Sequence, residues 1–442
     1  MSCGRRIAKA GRSEATSGPR PTRENAMRNV WRALTIGTFL MQAVAADTPG
    51  PQDAAATAAV ERLGGVATKG SGGHVTGIAL ANRPTTDDDL AVFAELPGLE
   101  SLDVWGAEIT DAGMESIGRM TSLRKLVLEN TDVTDAGATA LARLENLRVL
   151  NLRRSSNMTD AALESVAKLE GLEQLILLYN NFSDAGLAHV TPLRSLRVLD
   201  LRGCALVSDA GLEHVAKLTS LERVKLRCPS VSDIGLAHVA TLPKLRGFAA
   251  EDGQVTDAGL APFATKIDID EINVMRTFVG DDGLAHLAGL TKLKRLELRG
   301  SLVGDAGMAH LAKLREVTLL DLAETSVGDE GVAHLTGLSK LAALDLWDTQ
   351  VGDAGMAAVG QLTSLVSLNL QNTGVGDDGV ARLAGLERLE DLTLAGTKIG
   401  DAALVTLGKL PRLRRVSLAF TAVGDEAVAA LSVERPQLVI ER

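Results

Sequence analysis

The sequence predicts an α/β solenoid in which short strands and short helices alternate and successive units stack side by side. The evidence is a phrase that occurs fifteen times at a spacing of 24 residues, with two spacings of 25. A period this regular is the signature of a repeat solenoid. Each phrase contains alternating leucines, a turn and one aspartate that precedes small and apolar residues. The aspartates are Asp87, Asp111, Asp135, Asp160, Asp184, Asp209, Asp233, Asp257, Asp281, Asp305, Asp329, Asp353, Asp377, Asp401 and Asp425.

One repeat shows why each element is predicted. In the segment 123–135, Leu126 and Leu128 occupy alternate positions, so both face the core from a strand. Thr131 lies in the turn, where its hydroxyl can satisfy backbone groups. Asp135 is predicted to cap the helix that follows, because a carboxylate accepts backbone N–H groups and faces the positive end of a helix. Apolar residues three, six and nine positions later share one helix face.

Stacking of the repeats follows from burial. No repeat can bury its leucines alone, so neighbours must cover one another. Strands pair about 4.8 Å apart, whereas helix axes need about 8–10 Å. The strands are therefore expected on the concave side of a horseshoe as one parallel sheet, with the short helices on the convex side. The recurring glycine two positions after the aspartate is expected where neighbouring repeats approach closely.

The pattern resembles the leucine-rich repeat proteins over residues 75–442. The resemblance is strongest to the branch with short convex helices, the cysteine-containing and GALA-type repeats of F-box proteins and of many bacterial secreted proteins. The segment Leu196–Leu218, LRVLDLRGCALVSDAGLEHVAKL, is close to the cysteine-containing consensus, with Cys204 at the turn position. Most other repeats have threonine there, as bacterial members often do. The resemblance implies a right-handed βα horseshoe that serves as a binding scaffold, and it implies little about the ligand.

The N-terminal region has the features of a secretory signal peptide at about 27–46. Arg28 and Arg32 lead into an apolar run at 33–44, and small residues precede Asp47. The run is short for a membrane span. The alternative is a disordered tail with a membrane anchor, and Met27 is a plausible start of translation. Secretion or export to the periplasm is therefore expected.

Three regions are expected along the chain. Residues 1–46 form an N-terminal extension and signal peptide, 47–74 an N-terminal cap and linker, and 75–442 the repeat domain. A helix is expected over 52–63, and the first strand over His74–Ala81. One repeat, near 257–280, is irregular, because Pro262 interrupts its helix and Lys266 replaces a leucine. The residue before the aspartate also changes here, from Thr or Ser to Gly. This region is either a weak point or bend between two blocks of repeats, or simple sequence drift.

The charge of the chain excludes some partners. The full sequence has a net charge of −10, and residues 1–46 are basic, so cleavage leaves a still more acidic protein. Such a protein is not a general binder of nucleic acid or of anionic membranes. No later segment is apolar enough for stable membrane insertion after signal cleavage.

No chemistry-bearing motif points to an enzyme. Phosphate-binding glycine loops, HExxH and GxSxG are missing from the sequence. Six histidines share one convex helix position without a companion ligand at metal spacing, so neither metal ligands nor cofactors are predicted; they are His189, His214, His238, His286, His310 and His334. Cys204 and Cys228 lie at nearly equivalent turns of adjacent repeats. They are either a disulfide or two thiols that fill the turns.

The candidate site is the concave face, where outward-pointing strand positions can be assigned from the register. Two tryptophans in a chain with 2% aromatic residues suggest binding hot spots. A basic cluster on this acidic protein, formed by Arg202, Arg223, Lys225 and Arg227, suggests a binding site as well. The predicted ligand-binding residues are Trp105, Arg153, Arg202, Arg223, Lys225, Arg227, Glu251, Arg299 and Trp347. The alternative is that these charges pair across neighbouring strands, as Arg227 with Glu251, Lys225 with Asp200 and Arg295 with Glu271.

The function predicted from these observations is that of a secreted, non-catalytic scaffold. Its partner would be a protein or peptide, or a surface polysaccharide, bound on the concave face. The alternatives are a substrate-recognition subunit of a ubiquitin ligase, as in F-box relatives, and an inhibitor that wraps around an enzyme. The first alternative needs a cytosolic or host-delivered protein, whereas this sequence carries a signal peptide.

Overall fold

The strands of the repeats form one continuous sheet. A computed structural model describes residues 49–442, so the predicted signal peptide and the extension before it lie outside the described residues. Within 49–442 there are seventeen strands, and each pairs with the next in sequence order. They are β1 Val66–Lys69, β2 Val75–Pro84, β3 Ser101–Trp105, β4 Lys125–Glu129, β5 Val149–Asn151, β6 Gln174–Ile176, β7 Val198–Asp200, β8 Arg223–Leu226, β9 Gly247–Ala250, β10 Glu271–Asn273, β11 Arg295–Glu297, β12 Leu319–Asp321, β13 Ala343–Asp345, β14 Ser367–Asn369, β15 Asp391–Thr393, β16 Arg415–Ser417 and β17 Val439–Glu441.

Short helices alternate with these strands. They are α1 Pro51–Arg62, α2 Asp87–Phe93, α3 Asp111–Ile117, α4 Asp135–Ala138, α5 Asp160–Val166, α6 Asp184–His189, α7 Asp209–Val215, α8 Asp233–Ala240, α9 Asp257–Leu260, α10 Asp281–Ala285, α11 Asp305–Met308, α12 Asp329–Ala333, α13 Met356–Val359, α14 Asp377–Ala381, α15 Ala403–Lys409 and α16 Asp425–Glu434. A 3₁₀ segment directly follows five of these helices; the segments are Thr139–Arg143, Ala261–Phe263, Ala309–Leu311, His334–Gly337 and Arg382–Gly385. Apart from the antiparallel β1–β2 pair, all pairings are parallel. The predicted solenoid is confirmed.

The leucines of the repeats form the core, as predicted. Leu126 and Leu128 are fully buried, and Leu126 pairs in register with Leu150 of the next strand. The threonine of the turn satisfies the backbone, because Thr349 donates its hydroxyl to the carbonyl of Leu346 (2.7 Å), and five other repeats have the same bond. Burial of the leucines and a closed turn therefore define each unit.

The repeated aspartate does not cap its own helix, and that prediction is wrong. The N-cap is the residue before it, as in α3, where Thr110 precedes Asp111. The Asp111 carboxylate accepts the backbone N–H of Thr134 in the next repeat (2.8 Å) and also the Thr134 hydroxyl (2.7 Å). A bond from the backbone N–H of the residue before the next aspartate occurs at fourteen consecutive junctions, from Asp87 to Gly424. This aspartate ladder couples each repeat to its neighbour through a charged acceptor.

The glycine two positions after the aspartate makes room for this ladder. A Cβ at Gly137 would lie 2.2 Å from Oδ1 of Asp111, the atom that accepts the Thr134 N–H. The expectation of a close approach between repeats is confirmed at this position.

The N-cap residue changes half-way along the ladder. At the first seven junctions it is threonine or serine, whose hydroxyl donates to the preceding aspartate. At the last seven, from Gly280 onward, the residue before the aspartate is glycine, which offers only its N–H. It is the N-cap at five of these, whereas α13 and α15 begin later, after Gly355 and Ala402. Gly304 has φ −129°, an extended conformation open to any residue. The backbone there does not require glycine.

We therefore expect Gly304→Ser to raise the free energy of unfolding by about 1 kcal/mol, because it adds an N-cap side chain and a bond to Asp281. A Cβ at Gly304 would lie 3.6 Å from Oδ2 of Asp281, which leaves room for the hydroxyl. Urea unfolding followed by circular dichroism measures the change. Gly304→Ala is the matched control, since it alters the backbone in the same way without a hydroxyl. Equal stability of the serine and alanine variants would contradict the expectation.

The N-terminal end differs in part from the prediction. Helix α1 matches the helix expected over 52–63, but β1 was not predicted, because its four residues carry no alternation of buried leucines. It pairs antiparallel with β2, with Val66 opposite Ala79. The role of 47–74 as a cap stays a prediction.

The irregular repeat stays in register with its neighbours. After α9 the chain continues through Pro262 as a 3₁₀ turn, and Phe263 stacks on Phe248 with ring centroids 4.2 Å apart. Lys266 donates to the Leu242 carbonyl (3.0 Å) in place of the missing leucine. The β9–β10 pairing and the aspartate ladder continue across this repeat. A weak point or bend here stays a prediction.

None of the helices in the described part of the chain has the length and apolar character that a membrane crossing requires.

Candidate functional site

The side chains between the buried leucines form the solvent-facing side of the parallel sheet, called the sheet face below. All nine residues predicted to bind a ligand lie on it, at strand positions or one or two residues beyond, and each is partly buried. They are Trp105, Arg153, Arg202, Arg223, Lys225, Arg227, Glu251, Arg299 and Trp347. Their role in binding stays a prediction.

The arginines of the predicted basic cluster are already paired. Arg202 donates to Asp200 (2.8 Å) and lies 3.8 Å from Glu251 two strands away. Arg227 pairs with Asp252. Asp252 also pairs with an arginine from the next repeat, so one carboxylate serves two guanidinium groups. The pKa of Asp252 is lowered from 3.8, first by the hydrogen bond from Arg276. The positive charges of these arginines are therefore largely neutralised by carboxylates of the protein itself.

The partners differ from those that the register suggested. The expected pairs were Arg227 with Glu251, Lys225 with Asp200, and Arg295 with Glu271, and none of these is formed. Arg295 instead pairs with Glu297 (3.2 Å), and Lys225 has no ion pair among the described residues. One reason is the backbone of Asp252, whose φ of 54° takes it out of the strand alternation on which the register argument relies.

Arg223 reaches across an entire strand. Its side chain extends over β9 to Asp270 (2.6 Å) and Glu271 (3.4 Å) on the far side. This path exists because β9 has glycine at the crossing point, where a Cβ of Gly247 would lie 2.2 Å from Nη1 of Arg223. Asn273 forms a second connection, since its amide donates to Glu251 (3.2 Å) and to Glu297 (3.1 Å). Side chains from β7 to β11 are thus held by separate groups of ion pairs and hydrogen bonds, which restrict their positions.

Trp347 is less available than the sequence suggested. The Arg299 guanidinium stacks on its ring, 4.3 Å from the centroid, and also pairs with Glu324 (2.8 Å). The stack spans the repeat that contains β12, in which Ala323, two residues after the strand, is fully buried. One face of the indole is therefore covered by a cation–π contact within the protein.

A hollow of about 230 Å³ lies on the sheet face over β11–β14. Asp321 and Asp345 line it, and each Oδ1 accepts the N–H of the residue two positions later (3.0 and 2.9 Å). Burial raises the pKa of Asp321 to about 6, and the charge of Asp345 adds to this effect. Neither carboxylate has an ion pair among the described residues. Both lie at outward-pointing strand positions, but the sequence gave no reason to single them out.

The cysteines and histidines offer no reactive centre in the described residues. Cys204 and Cys228 are free thiols rather than a disulfide, and each donates to a backbone carbonyl of the preceding repeat. Burial raises the pKa of Cys204 to about 11 and that of Cys228 to about 12, which suppresses the nucleophilic thiolate. The six convex histidines are partly or fully exposed. Within 49–442, no three His, Cys, Asp or Glu side chains are grouped to hold a metal ion.

Comparison with known proteins identifies the architecture. A family model described as a leucine-rich repeat matches residues 119–142, 193–216 and 361–384. The structure resembles that of an internalin from Listeria monocytogenes at 24% identity and a TM-score of 0.55, covering 79% of this chain and 98% of that one. It also resembles a leucine-rich repeat protein of Leptospira interrogans at 17% identity and a TM-score of 0.56, covering 81% of this chain and 95% of that one. A search of curated proteins finds no match. The chain has the leucine-rich repeat fold.

Proposed function

We propose that this leucine-rich repeat chain is a non-catalytic scaffold that binds a protein partner through its sheet face. The observation that carries the proposal is that ion pairs and hydrogen bonds hold the charged side chains from β7 to β11 in place, although the leucine core does not need them. Side chains held in place before binding lose little conformational freedom on association. A long sheet of such positions suits a large, shallow contact.

We propose further that the protein acts outside the cytoplasm. The basis is the signal-peptide pattern of residues 27–46 and the resemblance of the repeats to those of bacterial secreted proteins. A surface polysaccharide is a second candidate partner. A substrate-recognition subunit of a ubiquitin ligase or an enzyme inhibitor remains the alternative function. Mass spectrometry of the product from its native cell would find an N-terminus near Ala46 if the signal is cleaved, and an uncleaved cytosolic chain would favour the ligase alternative.

The binding role is tested by affinity capture from the extracellular milieu, followed by substitution of Trp105, Trp347 and Arg227 with alanine. We expect at least one substitution to weaken the captured partner's affinity by about tenfold, because tryptophan and arginine dominate interface energetics. Glu330→Ala, on the first turn of α12 and exposed, is the control and should have no effect. Unchanged affinity for all three sheet-face variants would reject this surface.

A further inference from the structure

The distribution of unpaired charge on the sheet face is uneven. Over β7–β11 the arginines form ion pairs with nearby carboxylates. Over β12 and β13 the situation is reversed, because Asp321 and Asp345 form no ion pair with any described residue, and neither does the exposed Asp348. Two arginines lie nearby, but both are engaged: Arg299 by Glu324 and by its stack on Trp347, and Arg295, which lines the hollow, by Glu297. This part of the face carries negative charge that the protein itself does not neutralise.

The same part of the face has room for a side chain. The hollow over β11–β14 has small residues at the start of two strands, Ala343 and Ser367, and a floor formed by Leu320 and Leu344. An apolar floor with carboxylates above it matches a lysine or arginine, whose methylene stem packs on apolar surface while its charged head pairs with acids. A bare metal ion fits less well, since the described residues provide no group of three ligands.

We propose that this hollow receives a lysine or arginine side chain of the protein partner, from a segment that lies across β11–β14. The inference rests on the proposed binding function and gives it a place and a chemistry, with Asp321 and Asp345 as the residues that recognise the cation. Complementary charge steers the encounter and fixes the register of the bound segment. The basic cluster of β7 and β8, which the sequence favoured, then serves mainly to order the sheet face.

The two carboxylates can be neutralised without disturbing the fold. Asn151, Asn273 and Asn369 occupy the equivalent position of other strands, and each Oδ1 accepts the N–H two residues later, as Asp321 and Asp345 do. The double variant D321N/D345N therefore keeps this hydrogen bond and removes only the charge. Circular dichroism and urea unfolding of the variant check that its structure is retained.

The test uses the full chain and two fluorescein-labelled peptides of equal length, in which serine alternates with lysine or with glutamate. We expect the lysine peptide to bind the wild type, measured by fluorescence anisotropy, and the glutamate peptide not to bind. We expect D321N/D345N to bind the lysine peptide at least about tenfold more weakly, because both carboxylates that would pair with the lysine lose their charge. The control E330Q/D378N removes the same charge from exposed helix positions and should change the affinity less than about twofold.

Each other outcome overturns the proposal. If the lysine peptide does not bind, or if both double variants weaken it equally, the hollow is not a specific site. If D321N/D345N binds as the wild type does, the peptide lies elsewhere. These results leave the proposed scaffold function standing, since that is judged separately by the captured partner and the alanine variants. A captured partner that is insensitive to D321N/D345N but sensitive to Arg227→Ala would place binding on β7–β9 and reject the hollow alone.

Discussion

Asp209→Ala is expected to lower the free energy of unfolding by about 3–4 kcal/mol, because three hydrogen bonds to one carboxylate are lost. Asp209 accepts the N–H of Ser232 (2.8 Å), the N–H of Gly235 (3.0 Å) and the Ser232 hydroxyl (2.6 Å). These donors lie in the next repeat, so the substitution weakens a junction between repeats rather than one helix. Asp281→Ala removes a single bond, to Gly304 (2.7 Å), and should cost only about 1–2 kcal/mol.

The comparison of the two variants is the control, since both remove the same side chain from the same place in the repeat. Urea unfolding followed by circular dichroism gives the stabilities, and hydrogen exchange over 184–257 shows whether the loss is local. Local measurement matters because long repeat arrays can unfold in parts. Equal losses for the two variants, or a larger loss for Asp281→Ala, would show that the ladder does not couple the repeats as described.

The sequence predicted the elements of a repeat better than the bonds between repeats. Periodicity places Leu126 and Leu128 in the core because burial depends only on which face a residue occupies. The aspartate was assigned to its own helix because a local rule, N-capping, explained it. The sequence did contain a sign of the ladder, since Thr, Ser or Gly always precedes the aspartate. The group that donates to each aspartate, however, lies a whole repeat later in the sequence, where a local rule does not look for it.

The charge pairs of the sheet face show a second limit of sequence reasoning. Register identifies neighbours on adjacent strands, yet Arg223 passes over Gly247 to β10, and Arg202 reaches Glu251 two strands away. A long side chain can reach past the adjacent strand where a small residue leaves a gap. The register of neighbouring strands alone does not predict which of these longer contacts will form. The unpaired carboxylate of Asp321 was missed for the same reason, because its lack of an ion pair depends on which arginines are already paired with other acids.

Asp53→Ala is expected to release the N-terminal segment, α1 with β1, from the first repeat. Asp53 is 3% exposed and accepts the N–H groups of Val75 (2.7 Å) and Gly50 (2.9 Å), and it contacts the His74 ring (3.0 Å). Removing it leaves a buried N–H at the start of β2 without an acceptor, so the local cost should be about 3–4 kcal/mol. Hydrogen exchange should show lost protection over 51–84, with 184–442 unchanged, because a solenoid repeat contacts only its neighbours. Asp88→Ala, exposed in the first turn of α2, is the control.

The same contact should make the segment sensitive to acid. Burial raises the pKa of Asp53, but the N–H groups of Val75 and Gly50 and the His74 ring together outweigh burial. The net effect is a pKa lowered from 3.8. A depressed pKa means that the ionised carboxylate stabilises the fold above pH 3.8, and this stabilisation is lost as pH falls through the folded-state value. Protection over 51–84 should therefore fall in this acid range before that of the central repeats. Asp53→Asn, which cannot titrate, should abolish that difference in pH dependence; if the variant keeps it, another group is responsible.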